Sequence, residues 1–374
     1  MKPRRVLFAL SADFGEYVTA SLFSRGSGFA TQFALPSQLA RYAPAGQANL
    51  SVYEGMDDLA ALAARLRPDV AVLASGYLFP VNRLATPEAL RDLLARLRQA
   101  GCAVATTDPW LRVWSLRPDS HFAIHSVRKG GVDAELSDRM QALQRHLEQL
   151  FRDVPHLYAA PMPATSGTSL PFFNPAFAKP ADRRDGGSDD WLFVISKEDY
   201  AFLSGFDGES FHGALEARIQ ELLSQARNRL RFVGPPGLGQ FLHERWRDEP
   251  RVEYLAYCDF QSFEAALRQA KVVAYWNAVS STLLYCLYYR VPPVFFGTGH
   301  QAKVCGGFYE HAVGLLYRGR APRLLDLNAP LPADPDALTG ELGIAPWLDA
   351  IGQDYARLPA PDQVIEEIIR HHGH

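Results

Sequence analysis

Short apolar runs alternate with amphipathic helical patterns over the first 160 residues. The runs end in small or polar residues, which is typical of buried strands in a parallel sheet. They lie at 6–10, 49–53, 69–74, 102–105 and 156–160. Apolar residues recur at helical spacing over 57–66 and 135–151, and Thr86 before Pro87 marks a helix start, with a capping hydroxyl and a proline at the first helical position. This alternation predicts a Rossmann-like unit over residues 1–160.

The regular pattern stops over residues 161–190. Prolines interleaved with glycine, serine, threonine and aspartate occupy this stretch, at positions 161, 163, 171, 175 and 180. Such a composition is typical of an irregular connection, because proline and glycine interrupt both helices and strands. We therefore predict a linker between two domains.

A second alternation of strands and helices fills residues 191–360. Near-continuous apolar runs lie at 191–195, 230–233, 252–255, 272–275 and 293–296, and helical patterns at 209–226, 238–247, 260–269 and 281–289. The segment 361–374 is predicted to form a last helix that packs back on the first domain. The predicted fold class is α/β, with two Rossmann-like doubly wound domains that face a cleft.

The composition excludes several classes of protein. The 374 residues are 48% hydrophobic and 21% charged, which is enough apolar material for folded cores. A net charge of -3 gives no electrostatic reason to expect nucleic acid as the main ligand. No apolar run approaches the roughly 20 residues of a membrane span, and Val6–Leu10 is too short for the core of a signal peptide. The four cysteines are scattered without a CxxC pair, so we expect a cytoplasmic protein without disulfides.

The sequence offers little support for a metal site or a resident cofactor. The first strand is followed by Ser11-Ala12-Asp13-Phe14-Gly15 rather than the glycine-rich fingerprint of a dinucleotide site. Asp334-Pro335-Asp336 has the spacing of a metal-binding pair but no apolar strand before it, and His371, His372 and His374 read as a solvated tail. We predict no metal ligands and no cofactor.

Residues that directly follow strands are the candidates for ligand binding, because ligands of open α/β sheets bind at the carboxyl ends of the strands. The strongest candidate is the turn 276–282, where hydroxyls and backbone N–H groups at a helix start suit a phosphate. Its alternative interpretation is an ordinary N-cap by Ser280 or Ser281. The alternative interpretations of the other candidates are a surface lysine for Lys197, an ordinary turn for Gly234 and a structural histidine for His300. The predicted binding residues are Ser196, Lys197, Gly234, Tyr254, Ser280, Ser281, Thr282, Gly297 and His300.

The stretch Val252–Gly297 resembles the nucleotide-sugar domain of GT-B glycosyltransferases, and the resemblance extends over about Trp191–Tyr317. Its strand, short helix, strand, small-residue turn and helix follow that domain's order, with Arg290-Val291-Pro292 where the family usually has Gly-x-Pro. The retaining branch of the family has a ribose-binding Glu where Tyr285 stands, which argues against that branch. The Ser280-Ser281-Thr282 pattern is similar to that of the CMP-sugar-using sialyl- and Kdo-transferases.

The resemblance implies an inverting, metal-independent glycosyltransferase. The second domain would bind a nucleotide-sugar as co-substrate, and the first would bind an acceptor hydroxyl on a glycan, lipid-linked glycan, small molecule or protein. Peripheral contact with a membrane is compatible with this interpretation. Such an enzyme needs a carboxylate that takes the proton of the acceptor hydroxyl. The candidates in the loops of the first domain are Asp13 and Glu16 after the first strand and Asp108 after the fourth, with solvated loop acids as the alternative.

Two other hypotheses remain open at this point. A nucleotide-sugar epimerase that eliminates its nucleotide resembles the same fold, but it relies on several acids and a histidine. A non-catalytic two-lobed binding protein also has two α/β lobes. The absence of an export signal and a single proline-rich connection between the lobes argue against the binding protein.

Overall fold

The computed structural model describes residues 3–11, 14–40, 48–108, 111, 142–143, 146–162, 168–177, 189–256, 260–304 and 306–372. These residues form two compact units. The first unit contains the described residues up to 176 and those from 354 onwards, and the second contains residues 177–353.

The core of the first unit is a parallel sheet of seven strands in the order β3-β2-β1-β4-β5-β6-β7. The central strands are apolar and almost fully buried, because helices cover both faces of a parallel sheet. The strands are β1 Arg5–Leu10, β2 Ala30–Pro36, β3 Leu50–Tyr53, β4 Val70–Ala74, β5 Ala103–Thr107, β6 His156–Tyr158 and β7 Ser169–Pro171.

One helix of this unit has the capping signal that its sequence predicts. The predicted cap of Thr86 is confirmed, since its hydroxyl accepts the N–H of Ala89 at 3.2 Å and Pro87 is the first helical residue. Residues 146–151 are helical, but most of the predicted helix 135–151 lies outside the described residues. The helices are α1 Phe14–Ser24, α2 Ser37–Ala40, α3 Met56–Leu66, α4 Leu78–Val81 and α5 Pro87–Gln99.

The second unit has a parallel sheet of five strands in the order β10-β9-β8-β11-β12. Its strands are β8 Asp189–Val194, β9 Asn228–Val233, β10 Val252–Leu255, β11 Val272–Tyr275 and β12 Pro293–Phe295. Its helices are α6 Lys197–Leu223, α7 Pro236–Trp246, α8 Phe260–Gln269, α9 Leu283–Tyr289, α10 His300–Val304, α11 Gly306–Leu316, α12 Pro335–Glu341 and α13 Ile344–Tyr355. The predicted α/β class with two Rossmann-like units is confirmed.

The last helix, α14 Pro361–His372, belongs to the first unit although it follows the second in sequence. Its apolar face, with Val364, Ile365 and Ile368 at 1–2% exposure, packs on β4 and β5. The carboxylate of Asp362 accepts the backbone N–H of Gly28 at 3.0 Å. The helix is therefore one of the layers that cover the first sheet.

The structure differs from the predicted organisation in three ways. The predicted linker 161–190 contributes β7 to the first sheet, and the chain enters the second unit at Phe177 rather than at 191. The second unit ends at Gln353 instead of 360. The chain therefore passes between the units at 176–177 and again at 353–354, and the argument against a binding protein from a single connection was wrong.

Several elements were not predicted, among them α1 and β2 of the first unit, α10–α13 of the second unit and the start of α6. Both α1 and β2 lie in a region without a predicted element, and α6 begins at Lys197 instead of 209. Among the described residues, no helix is both long enough and apolar enough to cross a membrane.

Candidate functional site

The order of strands in the second sheet creates a switch point between β8 and β11. From β8 the chain continues to β9 on one side, whereas β11 and β12 lie on the other. The loops after β8 and β11 therefore diverge, and ligands of open α/β sheets bind where such loops diverge. The residues to consider are those at 195–199, 276–282 and 296–300, which follow β8, β11 and β12.

The centre of this edge is a carboxylate that the sequence did not single out. Asp199 lies in the first turn of α6 and is 1% exposed. Its Oδ1 accepts the backbone N–H of His300 at 2.7 Å, and it lies 2.8 Å from Nδ1 of the same residue. Its Oδ2 accepts the Ser196 hydroxyl at 2.7 Å. These three contacts and the positive end of a 27-residue helix offset the cost of burying the charge.

Glycines bring the loop after β12 close to the loop after β11. A Cβ on Gly299, which has φ +88°, would lie 2.7 Å from Cγ of Asn277, and a Cβ on Gly297 would lie 3.2 Å from the Trp276 carbonyl oxygen. The amide oxygen of Asn277 accepts the N–H of Val279 at 2.9 Å. Glycine is required at 299 both by the positive φ and by this contact. As a result, His300 is held beside the 276–282 turn.

The hydroxyls of the 276–282 turn do not cap the helix that follows. Thr282 occupies the N-cap position of α9, and its side chain makes no capping hydrogen bond. The Ser280 and Thr282 hydroxyls lie 2.9 Å apart, and the Thr282 hydroxyl lies 3.4 Å from the Tyr275 hydroxyl. All three residues 280–282 are partly exposed. The N-cap interpretation of this turn therefore finds no support in the side-chain contacts.

The other predicted binding residues of this unit have contacts of a different kind. Ser196 is the N-cap of α6, because its hydroxyl accepts the N–H of Asp199 at 2.9 Å. Lys197 is exposed in the first turn of that helix.

Gly234 and Tyr254 pack against each other at the neighbouring end of the sheet. The Tyr254 hydroxyl donates to the Gly234 carbonyl at 3.0 Å, and a Cβ on Gly234 would lie 2.7–2.8 Å from the side chains of Leu238 and Ile195. Burial raises the pKa of Tyr254. Both residues stabilise the turn between β9 and α7.

In the first unit, the Glu16 carboxylate makes hydrogen bonds within the turn between β1 and α1. It is 5% exposed, and its carboxylate accepts both the backbone N–H and the hydroxyl of Ser11. Tyr53 lies nearby and donates to the Leu10 carbonyl; burial, with a smaller contribution from Glu16, raises its pKa. These contacts favour a structural role for Glu16. Asp13, the preferred base, lies outside the described residues.

Asp108 stands at the carboxyl edge of the same sheet and is partly exposed. The Tyr158 hydroxyl donates to its Oδ2 at 3.3 Å. Behind it, the ring of Tyr158 stacks on His156, whose Nε2 lies 2.7 Å from the Tyr77 hydroxyl. The sequence did not single out Tyr77, His156 or Tyr158. Asp108 thus lies at one end of a row of contacting polar aromatic side chains that runs along the ends of β4, β5 and β6.

The possible metal-binding pair also has a structural explanation. Asp334 is the N-cap of α12 and accepts the N–H of Asp336 at 2.9 Å. The carboxylate of Asp336 lies 3.3 Å from Nζ of Lys271. Among the residues that the structure describes, no three His, Cys, Asp or Glu side chains form a group that could hold a metal ion.

No known protein family matches the sequence, and no curated protein is similar to it. Solved structures are similar over nearly the whole chain. The glycosyltransferase of kitacinnamycin matches with a TM-score of 0.56, 13% identity and 99% coverage of both chains. The glycosyltransferase SnogD from Streptomyces nogalater matches with a TM-score of 0.52, 13% identity and 99% coverage of both chains.

A third similar structure is the spinosyn rhamnosyltransferase SpnG in complex with thymidine diphosphate. Its TM-score is 0.50 with 12% identity, and the match covers 97% of this chain and 99% of SpnG. At such identities the similarity establishes the fold. The chain has the GT-B fold, as the resemblance of residues 252–297 implied.

Proposed function

We propose that the protein is a glycosyltransferase that takes a sugar from a nucleotide-activated donor. The observation that carries this proposal is the carboxyl edge of the second sheet. There the start of α6, the Asp199–His300 pair and the partly exposed hydroxyls of residues 280–282 come from loops that diverge at the switch point. Hydroxyls, an imidazole and helix N–H groups are the groups that bind phosphates in proteins. The GT-B fold and the TDP bound by SpnG support the same assignment.

The proposed reaction is a single displacement that inverts the configuration at the anomeric carbon. A carboxylate of the first unit takes the proton of the acceptor hydroxyl while the acceptor oxygen attacks the anomeric carbon. The bond from that carbon to the donor phosphate oxygen breaks, and the nucleotide leaves with the bonding electrons. The second unit binds the donor and stabilises the charge that develops on the leaving phosphate. Asp13 is the proposed base, with Asp108 as the rival; no resident cofactor is required.

Nucleotide binding tests this proposal directly. We expect one member of a panel of CMP, UDP, GDP and dTDP to stabilise the protein against heat. A ligand at 100 times its dissociation constant adds about 2.7 kcal/mol to the free energy of unfolding, which a thermal shift resolves. A shift with CMP alone would support a CMP-sugar donor, as the Ser280-Ser281-Thr282 pattern suggests, and a shift with a nucleoside diphosphate would support an NDP-sugar. The absence of a shift with every member would contradict the proposal.

The double variant Ser281→Ala, Thr282→Ala locates the site. Because these hydroxyls make no helix cap, we expect the variant to keep the melting temperature of the wild type and to lose at least tenfold in nucleotide affinity. Thr86→Ala is the matched control, since it removes a threonine hydroxyl that does cap a helix, in the first unit. It should lower the melting temperature and leave nucleotide affinity unchanged. Equal affinity in the wild type and the double variant would exclude this turn as the phosphate site.

A further inference from the structure

Three hydroxyls and a thiol form a row that runs from the 276–282 turn into the core of the second unit. The Ser280 and Thr282 hydroxyl oxygens lie 2.9 Å apart, and the Thr282 oxygen lies 3.4 Å from the Tyr275 hydroxyl. The Tyr275 hydroxyl in turn lies 3.4 Å from Sγ of Cys286. Tyr275 is the last residue of β11 and Cys286 belongs to α9, so the strand and the helix on either side of the turn supply the inner end of the row.

The two ends of the row differ in their access to solvent. Ser280 and Thr282 are partly exposed, whereas Tyr275 is 1% exposed and Cys286 is fully buried. Burial raises the pKa of the Cys286 thiol to about 12 and raises the pKa of Tyr275 well above its usual value. Both groups therefore keep their protons at neutral pH, and each can donate one hydrogen bond and accept another.

The backbone of the turn is held by contacts that are separate from this row. The side-chain oxygen of Asn277 accepts the N–H of Val279 at 2.9 Å, and the Tyr317 hydroxyl donates to the Ala278 carbonyl at 2.5 Å. Removal of one hydroxyl from the row therefore leaves these backbone contacts in place.

The single proton of each group allows the row to bond in two directions. In the inward direction Ser280 donates to Thr282, and the row ends with the thiol of Cys286 as acceptor, so that the Ser280 oxygen offers only lone pairs to a ligand. In the outward direction the thiol donates to Tyr275, each hydroxyl donates to the next, and the Ser280 proton points away from the core. The two directions differ by rotation of each proton about its own C–O or C–S bond, and no proton leaves its atom. An ionised phosphate oxygen can only accept a hydrogen bond, so a phosphate at this turn selects the outward direction.

We propose that Tyr275 is a positioning residue that directs the hydroxyl protons of Thr282 and Ser280 toward a phosphate group of the sugar nucleotide. This inference rests on the proposed function, because it assigns a role within the donor site. Since its hydroxyl is buried, Tyr275 acts through Thr282 and Ser280 and not by contact with the ligand. Each hydrogen bond of such a row polarises the next, which makes the outermost hydroxyl a better donor to an anion.

Tyr275→Phe and Thr282→Val test the assignment together. Phenylalanine lacks the hydroxyl but keeps the ring that stacks on Phe295, and valine keeps the shape of threonine but interrupts the row. We expect Tyr275→Phe to weaken binding of the best nucleotide among CMP, UDP, GDP and dTDP by about 3- to 10-fold, the effect of losing one hydrogen bond. In the Thr282→Val background the same change should have no further effect on affinity, because Tyr275 acts through Thr282. Isothermal titration calorimetry of the wild type, the two single variants and the double variant gives the four affinities.

The matched control is Tyr53→Phe. Tyr53 is also the last residue of a parallel strand, β3, and its buried hydroxyl donates to the Leu10 carbonyl in the first unit. This variant should lower the melting temperature, because a buried carbonyl loses its donor, and should leave nucleotide affinity within about twofold of the wild type.

The S–H stretching band of Cys286 reports the direction of the row. Infrared difference spectra of the wild type and Cys286→Ser assign the band. In the nucleotide complex we expect it at the lower frequency of a thiol that donates a hydrogen bond, and Tyr275→Phe should move it to the higher frequency of a thiol in an apolar solvent. A tyrosine that only packs in the core would not impose this direction. If Tyr275→Phe fails to fold, the position of the band in the wild-type complex still decides the assignment.

The outcomes separate the two proposals. A wild-type complex whose Cys286 band has the frequency of a non-bonded thiol would overturn the positioning role, as would equal affinity losses from Tyr275→Phe with and without the Thr282 hydroxyl. Nucleotide binding by the wild type would in either case still support the proposed function. A wild type that binds none of the four nucleotides would overturn the proposed function and this inference with it.

Discussion

Glu16 and Asp108 both follow strands of the first sheet, yet their carboxylates have different surroundings. Glu16 is 5% exposed and accepts two hydrogen bonds from Ser11, whereas Asp108 is partly exposed and accepts a hydrogen bond from the Tyr158 hydroxyl. The contacts with Ser11 favour a structural role for Glu16. Asp13 and Asp108 are therefore the candidates for the proposed base.

We expect Asp13→Asn to lower the turnover number by about 10²- to 10⁴-fold, the usual contribution of general-base catalysis. Nucleotide affinity should change little, because the proposed donor site belongs to the second unit. Asp108→Asn should have a much smaller effect. Steady-state kinetics of both variants with the same donor checks this. An inactive Asp108 variant beside a nearly normal Asp13 variant would show that the base follows β5.

Asp199 shows what a single sequence can and cannot provide at this scale. Its local signal was present, since Ser196 and Asp199 have the spacing of a capping box and the carboxylate lies in the first turn of a helix. Its contact with His300 joins residues 101 positions apart, and no local pattern encodes such a pair. Candidates that follow strands could be found from the sequence, because the end of an apolar run marks the edge of the sheet. The residues of other loops that contact these candidates could not be found in this way.

At the scale of elements, buried strands were the most predictable. β10 and β11 have the predicted bounds, because continuous apolar residues in a buried parallel strand leave a clear signal. β2 was missed because its first three residues are small or polar and either exposed or partly exposed. β7 was missed because it has three residues and ends in a proline. The start of α6 was missed because Gly205 and Gly208 interrupt its helical pattern.

A buried arginine in the C-terminal half of α6 binds the segment 327–333. Arg218 is 3% exposed; it contacts Glu221 and donates to the carbonyls of Leu327 and Ala329. Asn228 adds hydrogen bonds to the Leu222 and Ala333 carbonyls, at 2.8 Å each. The segment that follows β12 and α11 is therefore anchored by side chains of α6 and β9.

Arg218→Met should lower the free energy of unfolding by about 3 kcal/mol, because it leaves the carbonyls of Leu327 and Ala329 without the donor that the buried guanidinium supplies. Urea unfolding monitored by circular dichroism measures the loss. Arg245→Met is the control. Arg245 is 55% exposed and lies 3.6 Å from Glu216, so its removal should cost less than about 1 kcal/mol. Equal losses in the two variants would contradict the anchoring role of Arg218.

The whole molecule combines a GT-B fold with a proposed donor site that is built from protein groups. We expect turnover to survive EDTA, because the start of α6 and His300 can stabilise the leaving phosphate without a metal ion. The measurement is the rate of sugar transfer with and without the chelator, followed by addition of Mg²⁺ or Mn²⁺. Complete loss of transfer in EDTA with recovery on adding either ion would show that metal independence is wrong.

The position of α14 in the first unit has a consequence for synthesis. The helix covers β4 and β5, yet the ribosome makes it only after the whole second unit. In a nascent chain that ends before residue 361, the apolar surface that Val364, Ile365 and Ile368 later cover stays exposed. The second unit has no such wait, since its described strands and helices follow one another in the chain. The unit whose first strand is synthesised first can therefore complete its native fold only after the last helix has been made.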